Sequence, residues 1–228
     1  MNCLLLDTAT EACSVVLECQ GQVLRRFEVC PQQHSQRILP MVDEVLKEGR
    51  AVLNQLDFLG FGQGPGSFTG VRIATGILQG LALGSELPVV GVSTLAAMAQ
   101  QAITMHQAQD VYCAIDARMG EVYFAHYRAI EGLATLQGIE QVIPPDVAAE
   151  LIDSTTDVFG VGTGWAAYPQ IIPQQNFTLA TDILYPNAEF MLPLAHALFA
   201  QGKAQTAEQI QPVYLRDTVT WKKLPGRE

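Results

Sequence analysis

Two stretches of the chain carry one glycine pattern, Phe61-Gly-Gln-Gly-Pro-Gly66 and Phe159-Gly-Val-Gly-Thr-Gly164. Each continues a short apolar run, at residues 58–61 and 158–161. Each half also opens on an apolar run closed by an acid, residues 2–7 ending at Asp7 and residues 111–116 ending at Asp116. Short apolar runs bounded by turn residues read as buried strands, and a repeated order of such units marks internal duplication. Asp7 and Asp116 stand 109 positions apart and the glycine turns 98, a difference of 11 that fits drift in loop length.

In the first half, residues 13–18 and 23–29 add two strands, the second alternating after Gly21, so the first three runs form an antiparallel meander. Residues 36–48 place Ile38, Leu39, Val42, Val45 and Leu46 at helical spacing. Gly49 supplies a stop, and Pro40 belongs in the first turn or at a bend, having no N–H for the Gln36 carbonyl. The first glycine turn leads into a helix over 71–83 with Ala74, Ile77, Leu78 and Leu81 on one face. A strand at 88–92 then hands over to a helix at Ser93. The second half repeats the order with strands at 111–116 and 121–128, a helix at 144–153 and a strand at 158–161. A βββαβα unit used twice, with acid-ended strands and glycine turns facing one cleft, is the α/β arrangement of the actin, hexokinase and Hsp70 class, a ribonuclease H-like duplicated fold of two lobes. We divide the chain at 1–103 and 104–228, and expect the C-terminal helix and tail to pack back on the first lobe.

Composition limits the function. With 49% hydrophobic and 16% charged residues the chain buries a core instead of staying disordered. No apolar run approaches the roughly 20 residues of a membrane span, and the first residues lack a basic region, so a cytoplasmic protein without membrane contact is expected. A net charge of −10 repels nucleic acid, so RNA chemistry would need a partner to hold the RNA. The basic tail at 221–227 reads as a solvated terminus. Five cysteines without a CxxC pair read as reduced packing residues, and four scattered histidines suggest no metal site.

The first glycine loop offers backbone N–H groups and a helix N-terminus to an anion, with Gly64 and Gly66 allowing close approach and Ser67 or Thr69 capping the helix. Taken alone it reads equally as a tight strand-to-helix turn. It lacks the Lys-Ser/Thr of a P-loop, and Ser67 does not lie in a Gly-x-Ser-x-Gly elbow. Asp7 and Thr8 could hold magnesium or phosphate in an actin-like cleft, though an acid at a strand end is also an ordinary turn former. On the following helix Arg72, Gly76 and Gly80 align at i, i+4, i+8, with Gly84 beyond. Such glycines let another helix approach, within the molecule or outside it.

Read together, Leu4-Leu-Leu-Asp-Thr-Ala9, Gln33-His-Ser-Gln-Arg-Ile-Leu-Pro40, Gly64-Pro-Gly-Ser-Phe-Thr-Gly-Val-Arg72, Ala114-Ile-Asp-Ala-Arg-Met-Gly-Glu-Val-Tyr123 and Pro212-Val-Tyr-Leu-Arg216 resemble the TsaB (YeaZ) family across the chain. The resemblance implies a non-catalytic subunit that TsaD requires, with the ATPase TsaE, to transfer threonylcarbamoyl from threonylcarbamoyl-AMP to tRNA. The acceptor is N6 of the adenosine 3′ to the anticodon in tRNAs reading codons that begin with A. It implies a heterodimer with TsaD, a homodimer when TsaD is absent, and contact with tRNA only through the complex. No intrinsic cofactor is expected, with ATP or ADP and magnesium entering at the level of the complex. TsaD carries an HxxxH metal motif where this chain has Thr94 and Met98, which cannot replace two imidazoles. The partner face implied by the resemblance involves His34, Ile38, Met41, Val45, Arg72, Gly76, Leu78 and Gly80. Two rival readings are a glycoprotease-like peptidase, which would need a metal or an activated nucleophile, and a small-molecule kinase of the same fold.

Overall fold

The computed structural model describes residues 1–216. Strands β1 (Cys3–Asp7), β2 (Ala12–Cys19) and β3 (Gln22–Val29) form the antiparallel meander, with Leu5 opposite Val16 and Val16 opposite Arg25. Helix α1 (His34–Glu48) leads to β4 (Phe58–Gly64), α2 (Phe68–Ser85), β5 (Val89–Ser93) and α3 (Thr94–His106). The sheet order is β3-β2-β1-β4-β5, with β1, β4 and β5 parallel. The chain then restarts with β6 (Asp110–Arg118), β7 (Glu121–Ile130), β8 (Leu133–Ile143), α4 (Pro145–Glu150), β9 (Val158–Val161), α5 (Gly164–Ala167) and β10 (Phe177–Leu179), in the order β10-β9-β6-β7-β8. Counted within each half, both sheets run third, second, first, fourth, fifth.

The duplication reaches single residues. Gly64 has φ +105° and Gly162, 98 positions on, has φ +103°. Asp7 Oδ1 accepts the N–H of Ala9 at 3.0 Å, and Asp116 Oδ1 accepts that of Arg118 at 2.8 Å, the same turn at the end of the first strand of each half. The halves diverge after the glycine turn, where α2 has 18 residues and α5 only 4.

Helix α3 joins the halves. Every residue from Thr94 to Ile103 is buried, and Ala96, Ala97, Ala99 and Ala102 keep it slim enough for both sheets to close on it. One core therefore runs from Leu5, Phe58 and Val90 through α3 to Val111, Cys113 and Ala125. A second core lies between the first sheet and helices α1 and α2. The final helix α6 (Leu192–Ala200) packs near β5 and stacks Phe199 on Phe58 with ring centroids 4.5 Å apart. Beyond it, Gln205 exchanges backbone hydrogen bonds with Val89 of the first sheet. None of the described helices is long and apolar enough to cross a membrane.

Three details differ from the sequence reading. Strand β8 is an edge strand of half-exposed residues interrupted by Gly138 at φ +88°, so no clean alternation announces it. Gly49 closes α1 as expected, but not in the left-handed conformation usual for a stopping glycine: its φ is −74° and Arg50 takes the positive value. A Cβ there would stand 2.9 Å from Leu17 Cδ2, so a larger residue would require the buried Leu17 side chain to shift. Pro40 sits within α1 on its exposed side, where water can serve the Gln36 carbonyl that loses its donor. The basic tail at 221–227 lies outside the described residues.

Candidate functional site

The first glycine loop is occupied by the chain's own backbone. A Cβ on Gly66 would lie 2.3 Å from the Ala9 carbonyl oxygen, and one on Gly70 would lie 2.1 Å from that of Thr8. The Ser67 N–H donates to the Ala9 carbonyl at 2.7 Å, and the Thr8 hydroxyl donates to the Gly70 carbonyl at 2.7 Å. On the other flank, a Cβ on Gly64 would meet the Val213 carbonyl at 2.7 Å, and the Val213 N–H donates to Gln63. The close approach that glycine permits is thus used by the β1–β2 turn and by the segment around Val213. Ser67 caps α2, its hydroxyl accepting from the Gly70 N–H at 3.4 Å, whereas Thr69 stands exposed in the first turn.

Asp7 is sealed beneath this clasp at 1% exposure. Its Oδ2 has no hydrogen-bond partner among the described residues and lies where a Cβ on Gly62 would fall, 1.7 Å away. Burial pushes the carboxyl up to about 7, against the single favourable contact from the Ala9 N–H. Neither Asp7 nor Thr8 lines the cleft between the lobes. A carboxyl walled in by Gly62 and a hydroxyl committed to Gly70 do not fit a hydrated magnesium ion.

The cleft itself, about 590 Å³, is lined by Thr10, Glu11, His34, Ser67, Asp116 and Arg118 among others. Arg118 crosses it, pairing with Asp116 at 2.8 Å and with Glu11 of the first lobe at 3.1 Å. Tyr123 donates to the Gly66 carbonyl at 3.3 Å, and Arg216 pairs with Glu121 and donates to the carbonyls of Ala117 and Arg118. His34 Nε2 donates to the Thr10 carbonyl at 2.6 Å, fixing the start of α1 to the cleft rim. The glycine loop and the second-lobe turn therefore meet through protein–protein contacts. The sequence reading did not single out Arg118, Tyr123 or Glu11; the first two lie inside a quoted motif, but their pairing across the lobes has no local signature.

The helical face expected for a partner divides in two. Ile38, Met41, Val45 and Leu78 are buried at 0–2% in the core beneath α1 and α2, so they are corrected from contact residues to supports. Their helical spacing marks the side turned to the sheet, which periodicity alone cannot separate from a partner-facing side. Arg72, Gly76 and Gly80 are exposed, and a Cβ built on Gly76, Gly80 or Gly84 meets nothing within 4 Å. Among the described residues nothing packs directly on the stripe, although Gly76 lines a hollow beside Ile210, Pro212 and Tyr214. On the same helix Phe68 and Leu83 stand at 57% and 59% exposure. The Arg72 guanidinium lies 3.5 Å from the centroid of the Phe68 ring, and its Nε donates to the Tyr214 hydroxyl at 2.7 Å, presenting a preformed cationic and aromatic cluster.

The family model described as "TsaD: tRNA N6-adenosine threonylcarbamoyltransferase" matches residues 27–224. The tRNA threonylcarbamoyladenosine biosynthesis protein TsaB of Escherichia coli is 49% identical over 100% of both chains. The protein of that name from Haemophilus influenzae is 48% identical over 100% of this chain and 99% of its own. The chain belongs to the TsaB family. A crystal structure from Pseudomonas aeruginosa, described as an uncharacterized protein with similarity to peptidase YEAZ, superposes with a TM-score of 0.89 at 47% identity, covering 94% of this chain and 99% of that one.

In this TsaB-family chain Thr94 and Met98 are fully buried between the two sheets, and Met98 Cε packs against Gly162. They serve the core and face no cleft. The Ser67 hydroxyl meets only the Gly70 N–H among the described hydrogen bonds, as a helix cap does and an activated nucleophile does not.

Gly66→Ala or Gly70→Ala should cost at least about 3 kcal/mol, because a backbone carbonyl blocks the new methyl. Gly76→Ala or Gly80→Ala should instead gain about 0.5–1 kcal/mol from helix propensity, both read by urea denaturation. For Asp7, the fold retains a proton between about pH 4 and 7 that the unfolded chain has released. The folded state binds more protons there, so stability falls as pH rises through that window and levels off above it. Asp7→Asn should abolish this slope, matching the parent near the lower end and exceeding it above the window by on the order of 4 kcal/mol.

Proposed function

We propose that this chain is the non-catalytic partner of TsaD, acting with TsaE in placing threonylcarbamoyl on N6 of the adenosine 3′ to the anticodon in tRNAs that read codons beginning with A. The observation that carries this reading is the exposed glycine stripe of α2. Gly76, Gly80 and Gly84 leave a shallow channel on an 18-residue helix that also carries exposed Phe68 and Leu83 and the Arg72–Tyr214 pair. A helix from a partner can lie close to such a channel, and apolar residues rimmed by an arginine and aromatics are the composition of an interface centre. TsaD takes this face in the working complex, and a second copy takes it when TsaD is absent.

The absence of a catalytic role rests on what the residues do. Asp7, Thr8 and Ser67 are each committed to an internal contact, and the loop N–H of Ser67 already serves Ala9. ATP or ADP and magnesium therefore belong to the assembled complex. The net charge of −10 assigns tRNA binding to the partners, and a cytoplasmic site of action follows from the tRNA substrate.

Gly80→Trp should fill the channel while leaving the fold intact, since nothing surrounds that position. Titration calorimetry with purified TsaD should show affinity reduced at least about 30-fold, with an unchanged far-ultraviolet spectrum. Binding at the parent affinity would place the interface elsewhere.

A further inference from the structure

Away from the cleft and from α2, three metal-ligating side chains converge. Cys3 of β1 and Glu18 of β2 are directly opposed across the antiparallel pair, and Phe58 of β4 stands beside Cys3 in the next strand. His196 descends from α6 onto this row, its ring held edge-on to Phe58 with centroids 6.0 Å apart. His196 Nε2 is 3.6 Å from Cys3 Sγ and 2.9 Å from Glu18 Oε2, and all three ligand atoms lie within 4.8 Å of one another.

These distances suit a small cation. With zinc bonds of about 2.3 Å to sulfur and about 2.0–2.1 Å to nitrogen or oxygen, a tetrahedron sets sulfur and nitrogen about 3.5 Å apart and nitrogen and oxygen about 3.3 Å apart. Glu18 Oε2 gives a second, independent indication. It is buried, and although close to the imidazole it lacks the alignment of a hydrogen bond and has no other partner among the described residues. An orphaned carboxylate oxygen beside a thiol and an imidazole is costly unless something positive joins them. Side-chain exposures of 27% for His196 and 24% for Glu18 leave a solvent side for entry and for a water as fourth ligand.

We propose that Cys3, Glu18 and His196 form a binding site for a zinc-like divalent cation that pins α6 to the first sheet. The three lie 15 and 178 positions apart along the chain, with none of the spacings by which metal motifs are read, so the sequence gives no sign of them.

The test uses the purified full-length chain, stripped with a chelator and titrated with Co²⁺ and then Zn²⁺ at about pH 8, where release of ligand protons favours binding. One Co²⁺ per chain should bind with the intense near-ultraviolet absorption of a thiolate–cobalt bond, and Zn²⁺ should displace it. Cys3→Ser should lose the band. Glu18→Gln should keep it while weakening Zn²⁺ affinity at least roughly tenfold, which decides the matter if Cys3→Ser does not fold. A parent chain without the thiolate band, a full-strength band in Cys3→Ser, or unchanged Zn²⁺ affinity in Glu18→Gln would overturn the site and leave a Glu18–His196 ion pair.

Discussion

The clasp between the β1–β2 turn and the first glycine loop sets the character of the molecule. Two glycines, Gly66 and Gly70, allow the carbonyls of Ala9 and Thr8 to approach to distances that any Cβ would forbid. Hydrogen bonds from Ser67 and Thr8 close the contact. In an actin-like frame this is where a loop and a helix N-terminus could receive phosphate, and here the Ser67 N–H is already given to the Ala9 carbonyl and the Gly70 N–H to the Ser67 hydroxyl. The same clasp buries Asp7 away from the cleft, and burial raises its carboxyl to about 7.

The second constraint is the thickness of α3. Its alanines let two sheets of identical topology share one core, so the lobes are joined through packing as well as through Arg118 and Tyr123 at the cleft. With the lobes held in this way, the asymmetry of the duplication carries the functional consequence. Among the described residues, only the first half follows its glycine turn with a long helix, and Gly76, Gly80 and Gly84 lie on the exposed side of that helix. The second copy, reduced to 4 residues after Gly162, contributes support under the cleft and offers no comparable face.

Much of this was legible in the sequence because it depends on local pattern. Acid-ended apolar runs and glycine turns announced both halves, and the duplicated topology followed from their order. Edge strand β8 escaped because Gly138 and mixed exposure erase its alternation. Side assignment was the weaker part of the site reading. Ile38, Met41, Val45 and Leu78 share helical spacing with the exposed stripe, and a sequence does not say which flank of a helix meets the sheet. The filled glycine loop was illegible for a related reason: glycine is required equally when a phosphate approaches the backbone and when another strand turn does. Arg118 with Glu11, and Phe68 with Tyr214 around Arg72, come together only through tertiary folding.

The central claim is that this protein supports tRNA modification through its surface and not through chemistry in its cleft. The direct measurement is nucleoside mass spectrometry of bulk tRNA from cells depleted of the protein and complemented with either the parent chain or an Asp7→Asn/Arg118→Ala variant. The account predicts that threonylcarbamoyladenosine falls on depletion and returns to the parent level with both. Unchanged threonylcarbamoyladenosine on depletion, or recovery with the parent alone while the variant is equally abundant, would contradict it.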